Sequence, residues 1–135
     1  MGRKERKAAL AGLRDVPAFA ECTDEELEQI DRFMTELTLS PGTKLTREGE
    51  AGREFAIIID GTARVTKDGQ EVATIGPGSF VGEIALLDKT MRTATVTAVT
   101  PLRLFMLNAA EFHGLLETSP SLRGKIERAA AQHRA

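Results

Sequence analysis

Gly82-Glu83-Ile84-Ala85-Leu86-Leu87, followed five residues after Leu87 by Arg92-Thr93-Ala94-Thr95-Val96, decides how this chain is read. A glycine lets main chain come close to a bound group. A short helical turn starts there, and its first N–H groups, which have no partner inside the turn, face an anion. Glu83 supplies a carboxylate that accepts hydroxyl protons. Arg92 supplies a planar donor fork that matches two oxygens of one anionic group. Taken singly, each has an ordinary explanation. Acids are favoured at helix starts, and an arginine after the polar loop Asp88-Lys89-Thr90 suits a solvated surface. Together they read as a site for a small anionic ester.

Outward from this stretch, residues 34–107 read as β-rich. Pro41-Gly42, Asp60-Gly61, Asp68-Gly69 and Pro77-Gly78 are turn signals. Between them the β-branched runs Phe55–Ile59, Thr62–Thr66, Val72–Ile75, Thr95–Val99 and Leu102–Leu107 predict strands. Asp68-Gly69 between Ala63–Thr66 and Glu71–Thr74 predicts a hairpin. Many short strands at close spacing imply an antiparallel β-roll or jelly roll.

Helices flank it. Residues 1–33 read as helical, with Arg3–Leu13 stopped by Gly12 and Val16–Phe19 as an apolar connector. Thr23 and Glu26 then form a capping box ahead of the apolar face Leu27, Ile30 and Phe33. Residues 108–135 repeat the pattern: Asn108 caps with Glu111, and Phe112, Leu115 and Leu116 form a face. Pro120 opens a last helix striped by Leu122, Ile126, Ala129 and Ala130. The expected fold is mainly β with flanking α, one domain over residues 1–135.

Composition excludes several classes. The chain has 135 residues, 41% apolar and 28% charged, enough for one core. A net charge of −2 does not advertise direct nucleic-acid binding. Apolar runs are far too short for a membrane span or signal peptide. One cysteine, Cys22, fits a reducing, cytoplasmic setting. It lies among acids that disfavour a thiolate. No Ser, Cys or His arrangement suggests a nucleophile, and His113 and His133 fall outside the roll, where a metal-dependent cupin would need a cluster. No enzyme is expected and no metal. Without Trp or Tyr, stacking on large aromatics is not the main mode of recognition. The basic run Arg3-Lys4-Arg6-Lys7 reads as a solvated helix face.

With these residues in place, the chain resembles the cyclic nucleotide-binding domains of catabolite activator proteins, cyclic-nucleotide-dependent kinases and cyclic-nucleotide-gated channels. Residues 82–96 look like that family's phosphate-binding cassette, and the resemblance extends over about residues 13–133. It implies that the N–H groups of Ile84 and Ala85 bind the cyclic phosphate, with Gly82 permitting the approach. Arg92 would pair with an exocyclic phosphate oxygen, and Glu83 would accept the ribose 2′-OH. Thr93 would offer its hydroxyl to the phosphate or to a guanine. Phe80, Val81 and Ala94 would complete the lining. Ile84, Leu86 and Leu87 are read chiefly as core anchors. A residue late in the last helix would close over the base, with Ile126, Ala130, His133 and Arg134 as candidates, although Leu122 and Ile126 are read chiefly as packing on the roll.

Two departures from the family pattern stand out. Met91 occupies the position before the arginine, where proline is usual, and is expected to loosen the loop. Val81 occupies the place before Gly82 where phenylalanine is common. The expected function is sensing of a cyclic nucleotide, cAMP rather than cGMP. Its output would go to an effector protein or a fused domain, with no membrane insertion. The competing expectation is an interaction module of the same fold that no longer binds nucleotide.

Overall fold

The computed structural model describes residues 19–134, except the side chains of residues 84, 133 and 134. The expected Arg3–Leu13 helix, its basic run and most of the 16–19 connector lie outside the described residues. Among the described residues, strands form two four-stranded antiparallel sheets. The first holds β1 (Thr35–Leu39), β8 (Leu102–Asn108), β3 (Glu54–Asp60) and β6 (Phe80–Val81), in that spatial order. The second holds β2 (Lys44–Thr46), β7 (Thr95–Ala98), β4 (Ala63–Lys67) and β5 (Gln70–Ile75). The antiparallel β-roll with flanking helices is thus present.

β3 shows why one apolar run organises the whole molecule. Its side chains alternate in direction with period two. Phe55 and Ile57 enter a core shared with the helices. Ala56 and Ile58 enter a second core inside the roll, with Val81, Val96, Ala98, Leu102 and Leu104. Both faces are covered, so Phe55, Ala56, Ile57 and Ile58 are all buried. Asp68 and Gly69 have φ of 52° and 77°. Two central residues at positive φ make the mirror-image turn whose twist matches a hairpin, and here they join β4 to β5.

β1, β2 and β6 were not among the strands expected from sequence. β1 is exposed along most of its length and β6 has two residues. Neither carries a pattern of its own. β1 pairs with β8, and β6 with β3, so long-range partners define them.

Four helices complete the described fold: α1 (Asp24–Phe33), α2 (Glu83–Leu87), α3 (Ala109–Thr118) and α4 (Pro120–Arg134). The capping boxes of Thr23 with Glu26 and of Asn108 with Glu111 both form. Leu27, Ile30, Phe112, Leu115, Leu116, Leu122 and Ile126 pack into the helix-side core with Phe55.

Ser119 joins the two helical ends. Its buried hydroxyl donates to Glu26 Oε2 (2.8 Å) and accepts the N–H of Leu122 (3.3 Å) in the first turn of α4. Glu26 Oε1 accepts the N–H of Thr23 at 3.1 Å. The Thr23 backbone donor, then Ser119, hold the Glu26 carboxyl below its ordinary value of 4.5. A carboxyl lowered on folding contributes stability above its unfolded pKa, and the contribution is lost as pH falls through the folded value. Glu26→Gln is therefore expected to destabilise at neutral pH. The difference from wild type should close in thermal melts taken progressively below pH 4.5.

Candidate functional site

The site is assembled where β6 ends. Pairing of Val81 with Ala56 and of Phe80 with Ile57 fixes β6 on the buried strand. The chain then turns through Gly82, at φ +92°, into α2. The Gly82 carbonyl accepts the Leu86 N–H (3.4 Å) and Arg92 Nη1–H (3.3 Å). Arg92 Nη2 donates to the Glu54 carbonyl at 2.6 Å. A Cβ on Gly82 would collide with the Arg92 guanidinium and would lie 2.6 Å from that same carbonyl oxygen. Glycine is needed here both for its backbone angle and for the space.

Charge is concentrated and largely shielded from water. Arg92 is 9% exposed and Glu83 1% exposed. Burial lowers the guanidinium's pKa, and the Glu54 and Glu83 carboxylates oppose that shift by favouring the charged form.

Backbone bonds tie down the loop carrying Arg92 where Met91 stands in place of proline. Met91 stands opposite Ala51 in an antiparallel bridge. The Arg92 N–H donates to the Glu50 carbonyl (2.7 Å), and the Gly49 N–H donates to the Arg92 carbonyl (3.0 Å). These cross-chain bonds anchor the backbone without help from a proline ring. Gly52 lies close by, where a Cβ would collide with Ala85 of α2.

A cavity of about 450 Å³ opens beside these groups. Of the residues expected from sequence, Phe80, Val81, Gly82, Glu83 and Ala85 line it, as do Arg92, Thr93 and Ala94. Other lining side chains come from β4 and β5: Val65, Lys67, Val72, Ala73 and Ile75. Sequence reasoning missed these, since a half-exposed strand carries no mark of which face meets a cavity. It also missed Thr46, which lines this cavity and a second depression of about 430 Å³, as Arg92 does.

The last helix separates the residues considered for it. Ala129 lines the cavity, whereas Ile126 and Ala130 are wholly buried. Ile126 belongs to the helix-side core. Residues four apart share a helix face, so Ile126 and Ala130 point together into packing and Ala129 lies at the edge of that face. The side chains of Ile84, His133 and Arg134 lie outside the described residues. Among the described residues no cluster of three or more His, Cys, Asp or Glu is placed to hold a metal ion. Nor is any described helix long and apolar enough to cross a membrane.

Comparison with known proteins agrees with this geometry. The model of the cyclic nucleotide-binding domain matches residues 36–119. A cAMP-dependent protein kinase regulatory subunit of Yarrowia lipolytica is 37% identical over 118 residues, covering 85% of this chain and 32% of the relative. A cyclic nucleotide-gated potassium channel of Mesorhizobium japonicum is 31% identical over 119 residues, covering 88% of this chain and 33% of the relative. The chain therefore spans about a third of the length of these curated relatives. The solved structure of PKAR CBD2 with Sp-2Cl-cAMPS bound superposes with a TM-score of 0.84 at 27% identity, covering 97% of this chain and 88% of that one. No enzymatic family is indicated. The chain belongs to the cyclic nucleotide-binding domain family.

Proposed function

We propose that this chain binds a cyclic nucleoside monophosphate, cAMP more tightly than cGMP, as the ligand-sensing unit of a regulatory protein. The main support is the shielded pair of Arg92 and Glu83 on the wall of one 450 Å³ cavity. The Arg92 fork meets the exocyclic phosphate oxygens, and the Ile84 and Ala85 amides approach from the start of α2. Glu83 accepts the ribose 2′-OH. Thr93 offers its hydroxyl to the phosphate. Val65, Val72 and Ile75 give the purine an apolar seat. Each charge-assisted bond is worth about 1.5–3 kcal/mol net. Micromolar affinity needs about 8 kcal/mol, which a few such bonds and the burial of the base supply together.

Titration calorimetry with both nucleotides tests this. cAMP is expected to bind at micromolar concentration or below, and cGMP measurably but more weakly. Tighter binding of cGMP would reverse the selectivity. Failure of both to bind would leave an interaction module that kept only the fold.

The position of Ala129 on the cavity wall supports a role for α4 in the mechanism. The ligand favours the arrangement in which α4 meets the base, and it shifts that equilibrium only by its differential affinity for the two states. The output passes to a fused domain or a separate effector, as the names of the kinase and channel relatives suggest. Saturating cAMP is expected to slow amide exchange across residues 119–133. Unchanged exchange there would remove α4 from the mechanism.

A further inference from the structure

We propose that Thr46 is a positioning residue, whose hydroxyl sets the main chain of Arg92-Thr93-Ala94 for the phosphate. This deepens the binding proposed above and rests on it. β2 meets β7 with a slip in register between Lys44 and Thr46, so that Lys44 faces Thr97 and Thr46 faces Val96. A bulge of this kind interrupts the backbone ladder. Here a side chain fills the gap. Thr46 Oγ1 donates to the Ala94 carbonyl at 2.9 Å and accepts the Val96 N–H at 3.1 Å. Thr46 is 7% exposed, so neither bond is readily replaced by water.

Geometry makes this tie consequential. Thr93 and Ala94 form a bend ahead of β7, outside regular strand. The neighbouring bonds hold other points of the same stretch. The Glu50 carbonyl accepts the Arg92 N–H, the Gly49 N–H donates to the Arg92 carbonyl, and Thr95 Oγ1 accepts the Glu48 N–H at 3.0 Å. Thr46 alone among these is a side chain that grips both sides of Thr95, at Ala94 and at Val96. It also lines the cavity beside Arg92 and Thr93 without carrying charge.

Thr46→Val keeps the shape and removes both bonds; Thr46→Ser keeps both. Calorimetry on folded protein, well below its melting midpoint, is expected to show about tenfold weaker cAMP binding for T46V and near wild-type binding for T46S. Amide exchange at Val96 should rise in T46V before any ligand is added. T46A, whose vacated space admits water, is expected to lose about threefold and serves if T46V does not fold. A merely structural role would lower the melting temperature and leave cAMP affinity unchanged. That result, or equal affinity of wild type, T46S and T46A, would overturn the proposal. Failure of wild type to bind cAMP would instead sink the nucleotide reading itself.

Discussion

Arg92→Ala is expected to weaken cAMP binding by about two orders of magnitude, roughly 3 kcal/mol. The phosphate would enter a water-poor site and lose its countercharge there. Arg92 also holds the free protein together locally, through the Gly82 and Glu54 carbonyls at 3.3 and 2.6 Å. Removing it leaves both without that donor, so stability should fall as well, by about 1 kcal/mol. The two losses separate cleanly, because affinity is read by calorimetry on folded protein and stability by denaturant titration. Arg92→Lys keeps the charge and loses the fork, and should fall between wild type and alanine. Wild-type affinity in folded R92A would remove the phosphate anchor from the mechanism.

The second large effect is expected at Gly82. Gly82→Ala places a methyl against the Arg92 guanidinium and 2.6 Å from the Glu54 carbonyl, at a φ of +92°. Left-handed backbone costs an L residue about 1–2 kcal/mol, and overpacking typically adds 1–3. The expected destabilisation is about 2–5 kcal/mol, lowering the melting midpoint by roughly 10 °C or more. To relieve the collision the guanidinium must move, so cAMP affinity should drop by about tenfold or more even where the variant folds. Wild-type stability in G82A would mean that the turn is not as tight as described. Calorimetry and thermal melts on the same preparation give both numbers.

How much of this was legible in the sequence depends on the range of the interactions. The capping boxes at Thr23 and Asn108 span three residues, so their chemistry is local and could be read directly. The Asp68-Gly69 hairpin is local too. β3 stood out because covering both its faces demands a continuous apolar run. β1 and β2 left no trace, since their pairing is decided by partners more than forty positions away in β8 and β7.

The site divides in the same way. Gly82, Glu83 and Arg92 sit in one segment and could be found together. Thr46 could not. Its partners Ala94 and Val96 lie 48 and 50 residues on, and it looks like any strand threonine. Ala129, which lines the cavity, was not among the residues expected to meet the base, because an apolar stripe fixes the buried face of a helix but not which neighbour borders a cavity. The backbone bonds of Arg92 to Glu50 and Gly49 are likewise invisible in a linear reading.

The single carboxylate of Glu26 serves the opening turns of two helices whose contacting residues, Glu26 and Ser119, are 93 positions apart. Its Oε1 accepts the Thr23 N–H at the start of α1, and its Oε2 accepts the hydroxyl of Ser119, which itself accepts the Leu122 N–H at the start of α4. The beginning of α1 and the beginning of α4 are thus tied through one hydroxyl, although the entire roll intervenes along the chain.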